Sequence, residues 1–224
     1  MQSPPVIPTI EQWIAHLDGM VAGVIEGLPV HGSDDEKRAY VLGFHDEYGS
    51  TQATDGALLC RVLGLAYEGD GIPRGDVDDR LWDAVHLHGD GWRGLISDEG
   101  GLVDPSGYAI EHRTQIELCA VHALWHLCER SGDAGMKDRL DDLVDWHTRE
   151  LQPDNGINRP WGLHAFVVRS VEAEVEDTRL DAMLHAQTLA NNCCITLGRP
   201  DILSAVILRD SADALRARIA HSAD

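Results

Sequence analysis

Between Glu111 and Arg130 the chain carries a helix with almost no outward face, and few folds can accommodate one. Ile116, Ala120, Ala123, Leu124 and Leu127 recur at helical spacing, and Leu118, Val121, Trp125 and Cys128 fill a second stripe. A helix apolar around most of its circumference has to be enclosed by other helices. The remaining face carries Gln115, Cys119, His122, His126 and Glu129. Polar groups so placed need partners or a wet cavity, because each one buried alone costs roughly 1–3 kcal/mol.

The next helix, Lys137 to Leu151, is of the opposite kind. Leu140, Leu143, Val144, His147 and Leu151 make one narrow apolar face, with Asp138, Asp141, Asp142, Asp145 and Arg149 mostly opposite. An enclosed helix followed by a one-sided one is a helical hairpin. The segment Thr178–Leu197 repeats the enclosed pattern. Leu180, Met183, Leu184, Ala186, Ala190, Cys193 and Leu197 cover most of it, and Asp181, His185, Thr188 and Asn192 form a polar stripe. Two such stripes suggest one shared wet cavity.

The rest of the chain reads as helix as well. Thr9 can cap a helix of about Ile10 to Gly27, and Ser33 with Glu36 forms a capping box for the next. Thr54 or Asp55 opens a third, and Asp76–His88 is a fourth. Helices over Pro160–Glu174 and Pro200–Ile219 complete the set. Gly89 to Tyr108 is a long Gly-rich loop, with room for a short hairpin around Leu95-Ile96 and Leu102-Val103; loops of this length inside a compact domain are more often functional than not. No composition break divides the chain, so residues 1–224 form a single domain.

Apolar content of 43% and charged content of 25% are those of a globular protein. No apolar run is long enough to span a membrane, and the first residues lack the pattern of a signal peptide, which makes a cytoplasmic location the expectation. Five cysteines without CxxC spacing are expected as reduced thiols. A formal charge of −20, from 38 acids against 18 bases, disfavours nucleic acid and anionic membrane as partners. Oligomeric state is not legible.

Leu143-Val144-Asp145-Trp146, followed by Leu151-Gln152-Pro153-Asp154-Asn155-Gly156 and Trp161-Gly162, resembles the Gln…Gly…Trp motif of terpenoid cyclases and prenyltransferase β-subunits. That motif closes helical hairpins in α/α toroids, and here the step from Gly156 to Trp161 is longer than the family's. Gly69-Asp70-Gly71 and Gly89-Asp90-Gly91-Trp92 look like degraded copies of the same turn. The resemblance spans Leu58 to Ala214 and implies an all-α fold of helical hairpins arranged as an α/α toroid or partial toroid. Prenyltransferase β-subunits hold zinc inside the toroid through Asp, Cys and His. The resemblance thus implies a divalent metal such as zinc, although no residue here matches those ligands one for one.

The residues suggest several sites, each with a structural counterpart. His122 and His126 lie one turn apart on one face, the spacing by which a helix offers two imidazoles to one ion. His164 and His185, on two other inner helices, are candidates to complete a metal site; the plainer reading is hydrogen-bonded core histidines. Glu111 and His112 open the enclosed helix directly after the long loop, where a carboxylate beside an imidazole suits proton transfer. Asp104, Tyr108, Arg113, Asn158, Arg159 and Trp161 are placed to clamp a polar substrate, with Arg113 and Arg159 on an anionic group; capping and ion pairing are the alternative. Asp76-Val77-Asp78-Asp79 reads as the DxDD of class II terpene cyclases, and Asp141 to Asp145 as the DDxxD of class I enzymes. Both also fit ordinary acidic helix positions. His45-Asp46 raises metal-dependent HD phosphohydrolases on a dipeptide alone.

The expectation is therefore a polar-lined internal pocket that binds, and in the enzymatic reading transforms, a small organic molecule, with lyase, transferase and hydrolase chemistry all open. The rival is a non-catalytic helical-hairpin module that binds a protein.

Overall fold

Local signals place most helix starts where the side chains demand them. In the computed structural model, which describes residues 6–67, 76–87, 91–151 and 157–222, Thr9 and Gln12 form a capping box on α1 (Ile10–Val21). Ser33 and Glu36 do the same for α2 (Asp34–Leu42). Helices α3 (Ala53–Leu63) and α4 (Val77–Leu87) precede the long central helix α5 (Ile110–Ser131). Gly132, at φ 62°, ends α5, and Asp133 accepts from the Met136 amide to start α6 (Ala134–Glu150). Helices α7 (Leu163–Glu172), α8 (Glu176–Asn192) and α9 (Ile202–Ser222) follow. The fold is all-α, with no strand among the described residues, and no described helix is long and apolar enough to cross a membrane.

Burial ranks the helices as inner or outer. Every residue from Ile116 to Cys128 of α5 is buried, as its two apolar stripes require. α4, α6 and α7 pack around α5; α7 also carries α8 and α9, and α1 lies across α9. α7 and α9 are enclosed as well, and α8 is not. Glu176, Asp177, Asp181 and Leu184 of α8 are exposed, and the helix ends at Asn192, short of Leu197. On α9, Leu203 to Leu208 are all buried.

The long loop forms two short 3-10 turns, Gly91–Leu95 and Pro105–Gly107, in place of a hairpin. It is strapped to the helices from beneath. The Glu117 carboxylate of α5 accepts the amides of Leu102 and Val103 at 2.9 and 2.8 Å, and Arg139 of α6 donates to the carbonyls of Ser97 and Gly100. Only glycine fits at 101, because a Cβ there would sit 2.3 Å from Glu117 Oε1 and 2.6 Å from the Trp146 ring.

Two acidic motifs have structural employment. Asp145 accepts from Nε and Nη2 of Arg169 at 2.8 and 2.6 Å, with Asp141 nearby at 3.8 Å, so two of the DDxxD acids clamp α6 to α7, while Asp142 is exposed. Asp46 caps its own turn through the Tyr48 and Ser50 amides, while His45 is exposed beside Thr51. The turns at Gly69-Asp70-Gly71 and Gln152 to Gly156, and the first two residues of Gly89-Asp90-Gly91-Trp92, lie outside the described residues.

Candidate functional site

The polar stripe of α5 meets its partner on α9. Asp210 interrupts the apolar run of that helix and is 4% exposed. Its Oδ2 lies 2.9 Å from His122 Nε2 and 2.7 Å from His126 Nε2, and its Oδ1 accepts from Arg61 Nε of α3 at 3.1 Å. Helices α5 and α9 meet through these side chains more than through close backbone packing. His164 of α7 completes the group, its ring centroid 4.4 Å from that of His122 and edge-on to it. Trp82, Trp125 and Trp161 wall the cluster off.

A glycine sets the protonation of the central ring. Gly162, at φ 68°, begins α7 with its α-carbon pressed on α5; a Cβ there would lie 3.1 Å from the Leu118 carbonyl and 3.2 Å from Val121. That approach brings the Gly162 amide to 3.1 Å from His122 Nδ1. A backbone N–H only donates, so Nδ1 holds a lone pair and Nε2 holds the proton given to Asp210. Burial pushes the His122 imidazole down to about 4, and burial with the neighbouring rings pushes His164 well below its ordinary value. Burial alone would raise the Asp210 carboxyl, but His126, the two imidazole hydrogen bonds and Arg61 hold it well below the carboxylate range.

His126 differs from the other two rings because it reaches an opening. A cavity of about 400 Å³ is lined by Arg61, Val85, Trp125, His126, Glu129, Arg130, Asp213, Ala214, Ala217 and His221. With Nε2 committed to Asp210, the nitrogen left for a molecule in that cavity is Nδ1, which has no partner among the described residues. An imidazole backed by a buried carboxylate is a proton acceptor of fixed tautomer and orientation.

Three of the four histidines expected as metal ligands come together in the structure. His122, His126 and His164 each bring one ring nitrogen within 4.8 Å of the others. His164 Nε2 is buried without a hydrogen-bond partner, while its Nδ1 faces Ser211 Oγ at 3.1 Å. His122 has both nitrogens in use, so a cation there would have to strip the Gly162 amide or Asp210 from it. His185 stands apart from the other three, stacked on Phe166 at 4.0 Å.

Glu111 and His112 do not line this cavity. Both are exposed at the start of α5, and the 14 residues from His112 to His126 span about 21 Å of helix. Tyr108 stacks on His112 and donates its hydroxyl to Asp76. Asp104 caps the Pro105–Gly107 turn, and Arg113 lies over the Trp146 ring at 5.6 Å. Asn158 Nδ2 is 3.4 Å from the Tyr48 hydroxyl. Arg159 is 4% exposed and committed to Asp46, Asp201 and Ser204, so it has no edge for a substrate. Of the proposed clamp, only Trp161 borders the cluster, edge-on to His122 at 5.3 Å. Asp210 and Arg61 carry the site and escape a reading by motif. The signal for Asp210 is its place just beyond the apolar run Ala205 to Leu208, a place it shares with Arg209.

These buried groups fix how stability responds to acid. As pH falls through 6.5, the unfolded chain takes up protons at His122, His164 and His185 that the folded chain refuses, so their stabilising contribution is lost from there downward. Asp78 and Asp55 work the other way. Burial pushes their carboxyls up to about 7 and about 6, so the folded chain binds those protons first and gains stability as pH falls towards 3.8. Burial also raises the Asp141 and Glu47 carboxyls, but by less, so the three imidazoles outweigh the carboxyls. Urea unfolding is expected to show stability falling below pH 6.5 by about 1–2 kcal/mol per pH unit. A stability that rises between pH 6.5 and 5 would contradict this balance.

Comparison of the chain with protein-family models, with curated proteins and with solved structures gives no match in any of the three.

Proposed function

We propose that the chain binds a small organic molecule in the cavity above Asp210 and exchanges a proton with it through His126. The carrying observation is the Asp210 carboxylate, buried and held ionised, taking the His126 Nε2 proton on the one ring of the cluster that lines the cavity. In the reaction, Nδ1 accepts a proton from the bound molecule, the imidazolium is stabilised by Asp210, and the proton returns from Nδ1 to a second atom or to water. His122, pinned by Gly162, and Arg61 keep the carboxylate from turning. The test is ring-nitrogen NMR during a fragment screen. Fragments that occupy the cavity should move the Nδ1 resonance of His126 and leave that of His122 in place. Cavity ligands that leave the His126 ring unmoved would sink the reading.

One observation favours a second reading, in which the cluster holds a zinc-like ion. His164 Nε2 has no partner, and three imidazole nitrogens converge beside a carboxylate. Binding would expel imidazole protons and so weaken as pH falls. Calorimetry with zinc, compared with His164→Ala, decides it: stoichiometric tight binding lost in the variant would establish the ion at the expense of the hydrogen bond from Gly162.

The α/α-toroid arrangement is part of the same proposal. Its support is the alternation of enclosed α5 with outer α6 and of enclosed α7 with outer α8, and the packing of α1 on α9.

A further inference from the structure

The arginines of this chain do not all hold their carboxylates in the same way. Arg169 grips Asp145 with Nε and Nη2 together, at 2.8 and 2.6 Å, and Arg218 grips Glu172 the same way, at 3.0 and 2.8 Å. Arg61 touches Asp210 through Nε alone, at 3.1 Å. The reason lies in the crowding of Asp210, whose Oδ2 is already taken by two imidazoles. The outer edge of the Arg61 guanidinium, Nη1 and Nη2, therefore has no hydrogen-bond partner among the described residues. Its side chain is 36% exposed and lines the same cavity as His126.

We infer that the molecule taken by this cavity is a small carboxylic acid with an apolar body, its carboxylate forked on the outer edge of Arg61. This deepens the proton-exchange reading and rests on it for the choice of cavity. Two parallel N–H donors at fixed spacing match the two oxygens of a carboxylate. The apolar body has Val85, Trp125 and Ala214 to lie against. The rim sets the charge. Glu129 and Asp213 are held by cations already, Asp213 by Arg209 and Arg216, and Glu129 more loosely by Arg218. Set against Arg61 and Arg130 on the same lining, their negative charge leaves room for one carboxylate and disfavours a dianion such as a phosphate monoester. Arg61 and His126 line this one cavity, so a carboxylate held by Arg61 shares it with the base.

The test uses the full chain with benzoate, phenylacetate and hexanoate against benzamide and benzylamine, read by NMR at the Trp125 and His126 rings. The carboxylates are expected to give saturable shifts that weaken by about tenfold or more in Arg61→Gln, with partial recovery in Arg61→Lys. Ala217→Trp, at an exposed position on the cavity lining, should abolish them without disturbing the core. Equal binding of benzamide or benzylamine, or carboxylate binding that survives Arg61→Gln, would overturn the inference. So would the absence of any carboxylate shift. The two readings fail separately. Arg61-dependent carboxylate shifts at Trp125 with a silent His126 ring support this inference and remove the proton-exchange role. Shifts of His126 by neutral fragments alone do the reverse.

Discussion

Replacing Asp210 with alanine is expected to destabilise the protein by about 3–5 kcal/mol, more than any single apolar truncation at the cavity rim. The deleted carboxylate is the shared acceptor of His122, His126 and Arg61, all of which would be left with donors facing each other. Two of these are at most 8% exposed, so water cannot take over without opening the cluster. Asparagine should recover little, because its amide turns two more donors toward either Arg61 or the imidazoles. Urea unfolding at neutral pH measures the effect. A loss below about 1 kcal/mol would mean that the three groups find other partners and that Asp210 is not the centre of the cluster.

The second large effect is expected at Arg159. This side chain ties the loop before α3 to the start of α9 by pairing with Asp46 at 3.0 Å and with Asp201, whose Oδ1 in turn caps α9 through the amides of Leu203 and Ser204. Arg159→Met keeps much of the volume and removes the charge. Asp46 and Asp201 then face each other with Glu47 and Asp55 nearby, and a loss of about 3–5 kcal/mol at pH 7 is expected. The pH dependence separates charge from packing. If repulsion is the cause, the deficit should shrink towards pH 5 as Asp55 and Glu47 take up protons. A deficit that stays constant would point to lost packing.

The stripe on α5 was readable because hydrophobic periodicity is local. His122 and His126 fall on one face whatever surrounds them, and the neighbouring stripes announce that the face is inside. The partner across the gap was not readable. Asp210 belongs to α9, where it stands among Arg209, Ser211 and Asp213, and nothing in the sequence marks it as the one that meets α5. α8 showed a fuller stripe and was the natural choice. Yet Asp181 faces water, and His185 turns instead to Phe166. Spacing tells which residues share a face; it does not tell which face meets which. The same gap separates Glu111 and His112 from the cluster: they share α5 with His126, yet His112 lies about 21 Å from it along that helix. Arg159 illustrates a further gap. A cation near a helix start reads as a ligand clamp until the distant Asp46 and Asp201 arrive to occupy it.

The strap under the long loop has a consequence for how the molecule comes apart. Leu102 and Val103 belong to no helix, yet their amides end on a carboxylate that is itself 0% exposed within α5. Freeing them leaves that anion without its donors in the interior, so the irregular segment cannot fray alone. Its amide protons should exchange with solvent as slowly as those of the helix beneath it, and a coil by outline behaves as core by kinetics.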